Sequence, residues 1–270
     1  MPPKRILITG VNGLIGGAVY RHLVSQPDRY DVWGLARRRD ASTRVADGTA
    51  VAIPDDRFVL SDLSDLDALA AAFQGISCVV HMAADPSGSR GWESLLSSNI
   101  IGNYNVFEAC RLAGVKRIVF ASTIQAALGY RREEPYLSIA EGRFSDLPDR
   151  VPAVTTDLPA RPLNIYSSTK VWSEGLARAY ADSHGLSCLG IRIGWVVAED
   201  ELPRPAAADI WCSQRDIVSL IECCVNAPDE VRYEVFFGMS DNKHRWVDLE
   251  NARRAVGYVP QDRAEDRPQD

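Results

Sequence analysis

Ile8-Thr9-Gly10-Val11-Asn12-Gly13-Leu14-Ile15-Gly16 sets three glycines in a G-x-x-G-x-x-G spacing. The stretch lies where an apolar run, Arg5–Thr9, gives way to a helical pattern, Gly13–Ser25. Each glycine has its own physical task. Gly10 turns the chain tightly out of a strand, Gly13 lets backbone approach a pyrophosphate, and Gly16 lets the helix lie close to the sheet. A diphosphate held there meets unpaired N–H groups and the positive end of a helix dipole. A glycine triplet alone reads equally well as an ordinary turn. At the first strand-to-helix crossing it reads as a dinucleotide cradle, lined by Gly10, Asn12, Gly13, Leu14, Ile15 and Gly16.

Outward from this turn, strand and helix patterns alternate. Further strands are expected at Asp31–Ala36, Arg57–Leu60, Cys78–Met82, Arg117–Ala121, Ser187–Ile193 and Val231–Phe237. Ser64 and Asp67 make a capping-box pattern that opens a helix to about Gln74. Other helices are expected at Trp92–Ala113, from about Tyr166 to His184, from the Ser213/Asp216 cap to about Asn226, and at Val247–Val256. Such alternation implies an α/β fold: a Rossmann-type doubly wound parallel sheet, here with a small C-terminal substrate-binding subdomain. The expected division is a dinucleotide-binding and catalytic core over 1–194, a small substrate-binding portion over 195–260 interleaved with it, and a frayed polar tail over 261–270. Residues 130–163 break the alternation with charge and proline. A stretch that long is functional or disordered, and we expect a lid-like loop.

The 270 residues, 46% of them hydrophobic, suffice for one large domain with a sizeable core. A net charge of −6 offers no general attraction to nucleic acid or an anionic membrane. No apolar stretch approaches the roughly 18 residues of a membrane-crossing helix, and no signal-peptide pattern precedes Ile6. The six cysteines form no C-x-x-C pair and mostly sit in apolar runs, as expected of reduced thiols in a cytoplasmic protein. His22 reads as a surface residue and His81 as a core histidine near the cofactor. His184 and His244 lack partners at metal-ligand spacing, so no metal site is expected.

The second strand ends Leu35-Ala36-Arg37-Arg38-Arg39, where NAD-binding proteins place an acidic group for the ribose hydroxyls. Guanidinium groups match a phosphate bidentately, so Arg37 and Arg38 favour the 2′-phosphate of NADP. NAD, with Asp40 serving the ribose, is the alternative. Asp62, after the third strand, is placed to meet the adenine amino group. Small residues after His81, in Met82-Ala83-Ala84, let a cofactor pass.

Tyr166-Ser167-Ser168-Thr169-Lys170 is Y-x-x-x-K, an i,i+4 spacing that puts both side chains on one helix face. A tyrosine of pKa about 10 is a poor base at neutral pH. A nearby ammonium and a positive nicotinamide favour its phenolate, which then exchanges a proton with a substrate hydroxyl. The fifth strand runs into Ser122-Thr123, at the strand end that faces the ligand crevice of an open α/β sheet. Thr123 is expected to orient the substrate oxygen, with Ser122 as the alternate.

Together, T-G-x-x-G-x-x-G, Asp62-Leu63, the hydroxyl after the fifth strand and Y-x-x-x-K resemble the extended short-chain dehydrogenase/reductases, the NAD-dependent epimerase/dehydratase family. The likeness runs from about Arg5 to Tyr258. Asn99-Ile100-Ile101-Gly102, Arg192-Ile193-Gly194, Trp211–Asp216 and Phe237–Asn242 resemble the branch holding uronate dehydrogenase and archaeal glucose-6-phosphate dehydrogenase. That branch oxidises the anomeric carbon of a sugar. The resemblance also implies cofactor contacts at Leu63, Asn99 and Ile193, and a homodimer paired through the Tyr166 helix, which carries Trp172 and Leu176. Where that branch reads A-S-S-N-H, this chain has Ala121-Ser122-Thr123-Ile124-Gln125, and Trp195 replaces a small polar residue after R-I-G. Ile124, Gln125, Trp195 and Arg204 are therefore the candidate substrate contacts.

These readings point to an NAD(P)-dependent oxidoreductase that transfers hydride between nicotinamide and a hydroxyl or carbonyl carbon of a sugar-like small molecule. The first alternative is a nucleotide-sugar epimerase or dehydratase with tightly bound NAD. Those enzymes usually carry a larger C-terminal lobe than the 76 residues after Gly194. A non-catalytic dinucleotide sensor is the second alternative, disfavoured because both Tyr166 and Lys170 are present.

Overall fold

All seven strands run parallel in one sheet, in the order β3-β2-β1-β4-β5-β6-β7. The computed structural model describes residues 2–202 and 205–267. The strands are β1 Lys4–Thr9, β2 Tyr30–Ala36, β3 Phe58–Leu60, β4 Cys78–His81, β5 Arg117–Thr123, β6 Ser187–Ile193 and β7 Tyr233–Gly238. The α-helices are α1 Leu14–Val24, α2 Leu66–Ala72, α3 Trp92–Leu95, α4 Gly102–Ala113, α5 Tyr136–Ala140, α6 Ile165–His184, α7 Gln214–Val225 and α8 Glu250–Val256. Strand order reverses between β1 and β4, and such a switch point leaves a crevice at the C-terminal strand ends.

Alternation along the strands fills two layers. Ile6, Ile8, Val80, Val119 and Ile191 face α1 and α7, meeting Val19, Leu23, Ile217 and Ile221. Leu7, Val79, Ile118 and Phe120 face the other way, onto Phe73 at the end of α2, Phe107 of α4 and Ala177 and Tyr180 of α6. Both faces being covered explains why the strands read as nearly unbroken apolar runs. A third apolar cluster lies past the C-terminal strand ends. It joins Ile124, Ile139 and Val154 to Ile210, Phe237, Met239 and Trp246.

Four expectations need correction. The cap of α2 is Asp65, whose side chain accepts from Ala68 N–H, because Asp62 already engages both the N–H and the hydroxyl of Ser64. The helical run from Trp92 contains a π segment, Leu96–Ile101, between α3 and α4; helical spacing does not tell a wide turn from an α turn. Residues 130–163 contain α5 and a 3-10 turn at Phe144–Asp146, and are entered through a 3-10 turn at Leu128–Arg132. Tyr130, Tyr136 and Ile139 pack there against the third cluster, and Gly129 N–H bonds the Arg161 carbonyl at 2.8 Å. The tail is tied down as far as Arg267. Asp216 accepts from Gln261 and Asp262 N–H, Asp262 pairs with Arg215, and Ala264 is fully buried.

Candidate active site

Gly10 sits at φ +68, the left-handed region that glycine enters without a Cβ clash. A Cβ there would lie 2.7 Å from Ala83 N, so the turn passes directly over the exit of β4. A Cβ on Gly16 would overlap the Gly10 carbonyl. Helix α1 starts beside it with Gly13 at the N-cap, no side-chain cap and no acid in the first turn. Its first N–H groups therefore open at the switch point, ready for an anion. Leu14 and Ile15 are half-buried in that first turn. Asn12 donates to the Arg38 carbonyl at 2.7 Å, joining the turn to the end of β2.

At that end Arg39 pairs with Asp55 at 2.8 Å and covers the Phe58 ring. Arg37 and Arg38 are exposed and enter no ion pair among the described residues. Asp62 is also exposed. Its hydrogen bond from Ser64 N–H, with help from the Ser64 hydroxyl and the Arg37 charge, outweighs desolvation and keeps the carboxyl below its ordinary pKa. Leu63 lends its carbonyl to Asn105. Met82, Ala83 and Ala84 are half-buried after β4, and Ile193 is buried at the end of β6.

Asn164 starts α6 with a reciprocal cap: its side chain accepts from Ser167 N–H while the Ser167 hydroxyl accepts from Asn164 N–H. One turn in, Tyr166 and Lys170 are both buried. The phenol lies beside the Thr123 hydroxyl at the end of β5. Lys170 Nζ donates to the Ala121 carbonyl at 3.0 Å. The expected lowering of the tyrosine pKa is not what the protein alone has. Desolvation raises Tyr166 above its ordinary 10, and the neighbouring Thr123 hydroxyl and the Arg44 charge offset only part of that. Desolvation brings Lys170 down to about 8, against a smaller upward pull from Asp85.

Three buried groups that the sequence reading did not single out, together with His81, support this pair. Asp85 accepts from the Ser94 hydroxyl and from Ser87 and Gly88 N–H; these bonds outweigh desolvation and hold it ionised, facing Lys170. Glu174, two turns on from Tyr166, forms a bidentate pair with Arg192 at 2.9 and 2.8 Å. Asn103 joins His81 to Ser173 on α6. His81 is neutral, its pKa pushed down to about 3 by burial; Thr9 donates to its Nδ1 and its Nε2–H is directed at Asn103.

The sequence candidates fall in different places. Thr123, Tyr166 and Lys170 come together. Ser122 does not join them: its hydroxyl donates to Glu174 at 2.6 Å. Asn99 is fully engaged inside the fold, accepting from Asp85 N–H and donating to the Asp85 carbonyl and the Thr169 hydroxyl. Ile124 is buried in the third cluster. Gln125 is half-buried and accepts from the Asn164 side chain at 2.8 Å, next to the start of α6. Trp195 is half-buried and bridges through its backbone to Ile210 and Cys212. Arg204 lies outside the described residues. His22 bonds Glu222 at 2.5 Å, and the six cysteines are unpaired. Among the described residues no helix is long and apolar enough to cross a membrane.

A profile of the NAD dependent epimerase/dehydratase family matches residues 6–209. The NAD-dependent glucose-6-phosphate dehydrogenase of Haloferax volcanii is 33% identical over 265 residues, spanning 95% of this chain and 93% of that protein. The L-arabinose 1-dehydrogenase (NAD(P)(+)) of the same organism is 33% identical, spanning 96% of each. The crystal structure of uronate dehydrogenase from Agrobacterium tumefaciens superposes with a TM-score of 0.76 at 31% identity, covering 98% of this chain and 87% of that one.

Proposed function

The chain belongs to the NAD dependent epimerase/dehydratase family, and on that premise we propose that it is an NAD(P)-dependent dehydrogenase acting on a hydroxyl-bearing carbon of a sugar-like small molecule. One observation carries the reading: Tyr166, Thr123 and Lys170 converge at the C-terminal end of β5. The cradle fits a dinucleotide, since two of its glycines leave no room for a side chain and the α1 N-terminus is uncapped. Gly10–Gly16 would hold the diphosphate and Lys170 the nicotinamide ribose. When bound, the nicotinamide supplies the carbon that accepts or returns the hydride.

The chain's own residues handle the proton. Thr123 and the Tyr166 Oη fix the substrate oxygen between them. In the oxidation direction the Tyr166 phenolate accepts the hydroxyl proton; in reduction the phenol donates it. Desolvation favours the phenol, so the base form relies on positive charge close by, from the Lys170 ammonium and an oxidised nicotinamide. The ionised Asp85 helps keep Lys170 protonated in a buried site.

The exposed Arg37 and Arg38 support a preference for NADP over NAD. Half-buried Gln125 and Trp195 are the substrate contacts we favour, with Arg204 a further candidate. Exposed Tyr104 and Leu112 on α4 and Trp172 on α6 support a homodimer. Buried free thiols support a reducing, cytoplasmic setting.

The test is a screen of aldoses, uronates and sugar phosphates with NADP and NAD. A rise in nicotinamide absorbance matched mole for mole by oxidised sugar is expected. Product formation without net nicotinamide reduction, from protein that retains its dinucleotide through purification, would instead mean an epimerase or dehydratase.

A further inference from the structure

The segment between β2 and β3 does not hang free of the cradle. Ser42 N–H donates to the Asn12 carbonyl inside the glycine turn at 2.8 Å, and Arg44 N–H is directed at the Ser42 hydroxyl at 3.3 Å. Asn12 in turn holds the Arg38 carbonyl, so the segment is tied to the turn on both sides of Asn12. Further along it returns over α1. Arg21 donates to the Thr49 carbonyl at 2.5 Å, Val51 packs beside Gly17, and Ile53 fills the space over Gly34.

Among the arginines of this stretch, Arg39 is paired with Asp55 and Arg57 with Asp31. Arg44 is exposed and enters no ion pair among the described residues. Its backbone is tethered to the glycine turn through Ser42, and its positive charge favours the Tyr166 phenolate on the hydride-transfer side of the crevice. A cation held between these two points stands along the path a dinucleotide's diphosphate must take.

We propose that Arg44 is a diphosphate clamp: tethered to the glycine turn through Ser42, its guanidinium holds the bridging phosphates of the dinucleotide. This rests on the dinucleotide-binding reading above. It separates the chain's cations by task. Arg44 serves the group common to NAD and NADP, whereas Arg37 and Arg38 serve the 2′-phosphate alone.

Direct binding of NADH, NADPH and adenosine 2′-monophosphate, measured by calorimetry, tests the division. In Arg44→Gln, affinity for NADH and NADPH should fall by a similar factor, about tenfold for one charge-assisted phosphate contact, while adenosine 2′-monophosphate, which has no 5′-phosphate, is held nearly as before. Arg44→Lys should recover part of the loss, and raised salt should narrow the gap between wild type and Arg44→Gln. The combined Arg37→Gln and Arg38→Gln change should weaken NADPH and adenosine 2′-monophosphate and leave NADH alone. Loss confined to NADPH and adenosine 2′-monophosphate in Arg44→Gln would make Arg44 a 2′-phosphate reader and overturn the clamp. Unchanged affinities in Arg44→Gln, with wild type binding normally, would overturn it and leave the dinucleotide reading standing. A wild-type protein that binds neither dinucleotide would overturn both.

Discussion

Arg192→Met would leave the Glu174 carboxylate buried without its cation. In the intact protein the two side chains are 4% and 8% exposed and share two short hydrogen bonds. Little solvent reaches them to screen a lone charge. Removing one partner of such a pair typically costs about 3–5 kcal/mol, a large part of the roughly 5–15 kcal/mol that holds a domain together. At roughly 2–4 °C per kcal/mol for a chain of this size class, the melting temperature should drop by about 10 °C. Removing both charges, as Arg192→Met with Glu174→Leu, should cost markedly less than the sum of the singles, because no uncompensated ion remains. The leftover cost is that of the Ser122 hydroxyl, which loses its acceptor, about 1–3 kcal/mol. Thermal and denaturant melts of the four proteins close the cycle. Single variants within about 1 kcal/mol of wild type, or a double variant as destabilised as the two singles added, would refute the reasoning.

Other consequences are open to simpler measurements. Gly10→Ala should lower dinucleotide affinity more than a hundredfold and destabilise the fold by about 1–2 kcal/mol or more, from its left-handed backbone and the contact with Ala83 N; normal binding would remove the turn from the cofactor site. Lys170 has a folded pKa of about 8 against an ordinary 10.5, so the unfolded chain binds more protons between those values and stability attributable to this group should rise with pH across that window. The penalty is complete below about pH 8 and gone above about 10.5. Wild type minus Lys170→Met in denaturant melts should show that slope; a flat difference would contradict the buried ammonium. Asn164→Ala should cost about 1 kcal/mol through the lost α6 cap and also reduce turnover, since Tyr166 follows two residues later; a variant as stable as wild type would show the cap to be idle.

Much of the fold was legible because its signals are local. The glycine turn, the near-continuous apolar strands and the i,i+4 spacing of Tyr166 and Lys170 each follow from backbone geometry and the period of a single element. What escaped depends on partners far apart in the chain. Asp65 caps α2 where Ser64 had the better motif, because Asp62 takes Ser64 first. Residues 130–163 look irregular alone, but their tyrosines and Ile139 pack against Trp246, over a hundred residues later. The tail 261–267 is polar because its carboxylates and N–H groups bond α7 and its cap, not because it frays. In the site, Thr123, Tyr166 and Lys170 were readable from motif and strand position. Glu174 and Arg192 were not, since an acid on a helix and a basic residue in an apolar strand give no sign that they face one another. Nor did the motif reveal that desolvation would outweigh the Thr123 hydroxyl and the Arg44 charge at Tyr166. That balance is set by burial, which no spacing encodes.

The account stands most directly on the Tyr166 phenol as the group that exchanges the substrate proton. Turnover of Tyr166→Phe on the best sugar from the screen should fall by about 10²–10⁴, the usual worth of a positioned acid or base, while calorimetric affinity for the dinucleotide stays within about threefold of wild type. Turnover close to wild type, with binding intact, would contradict it.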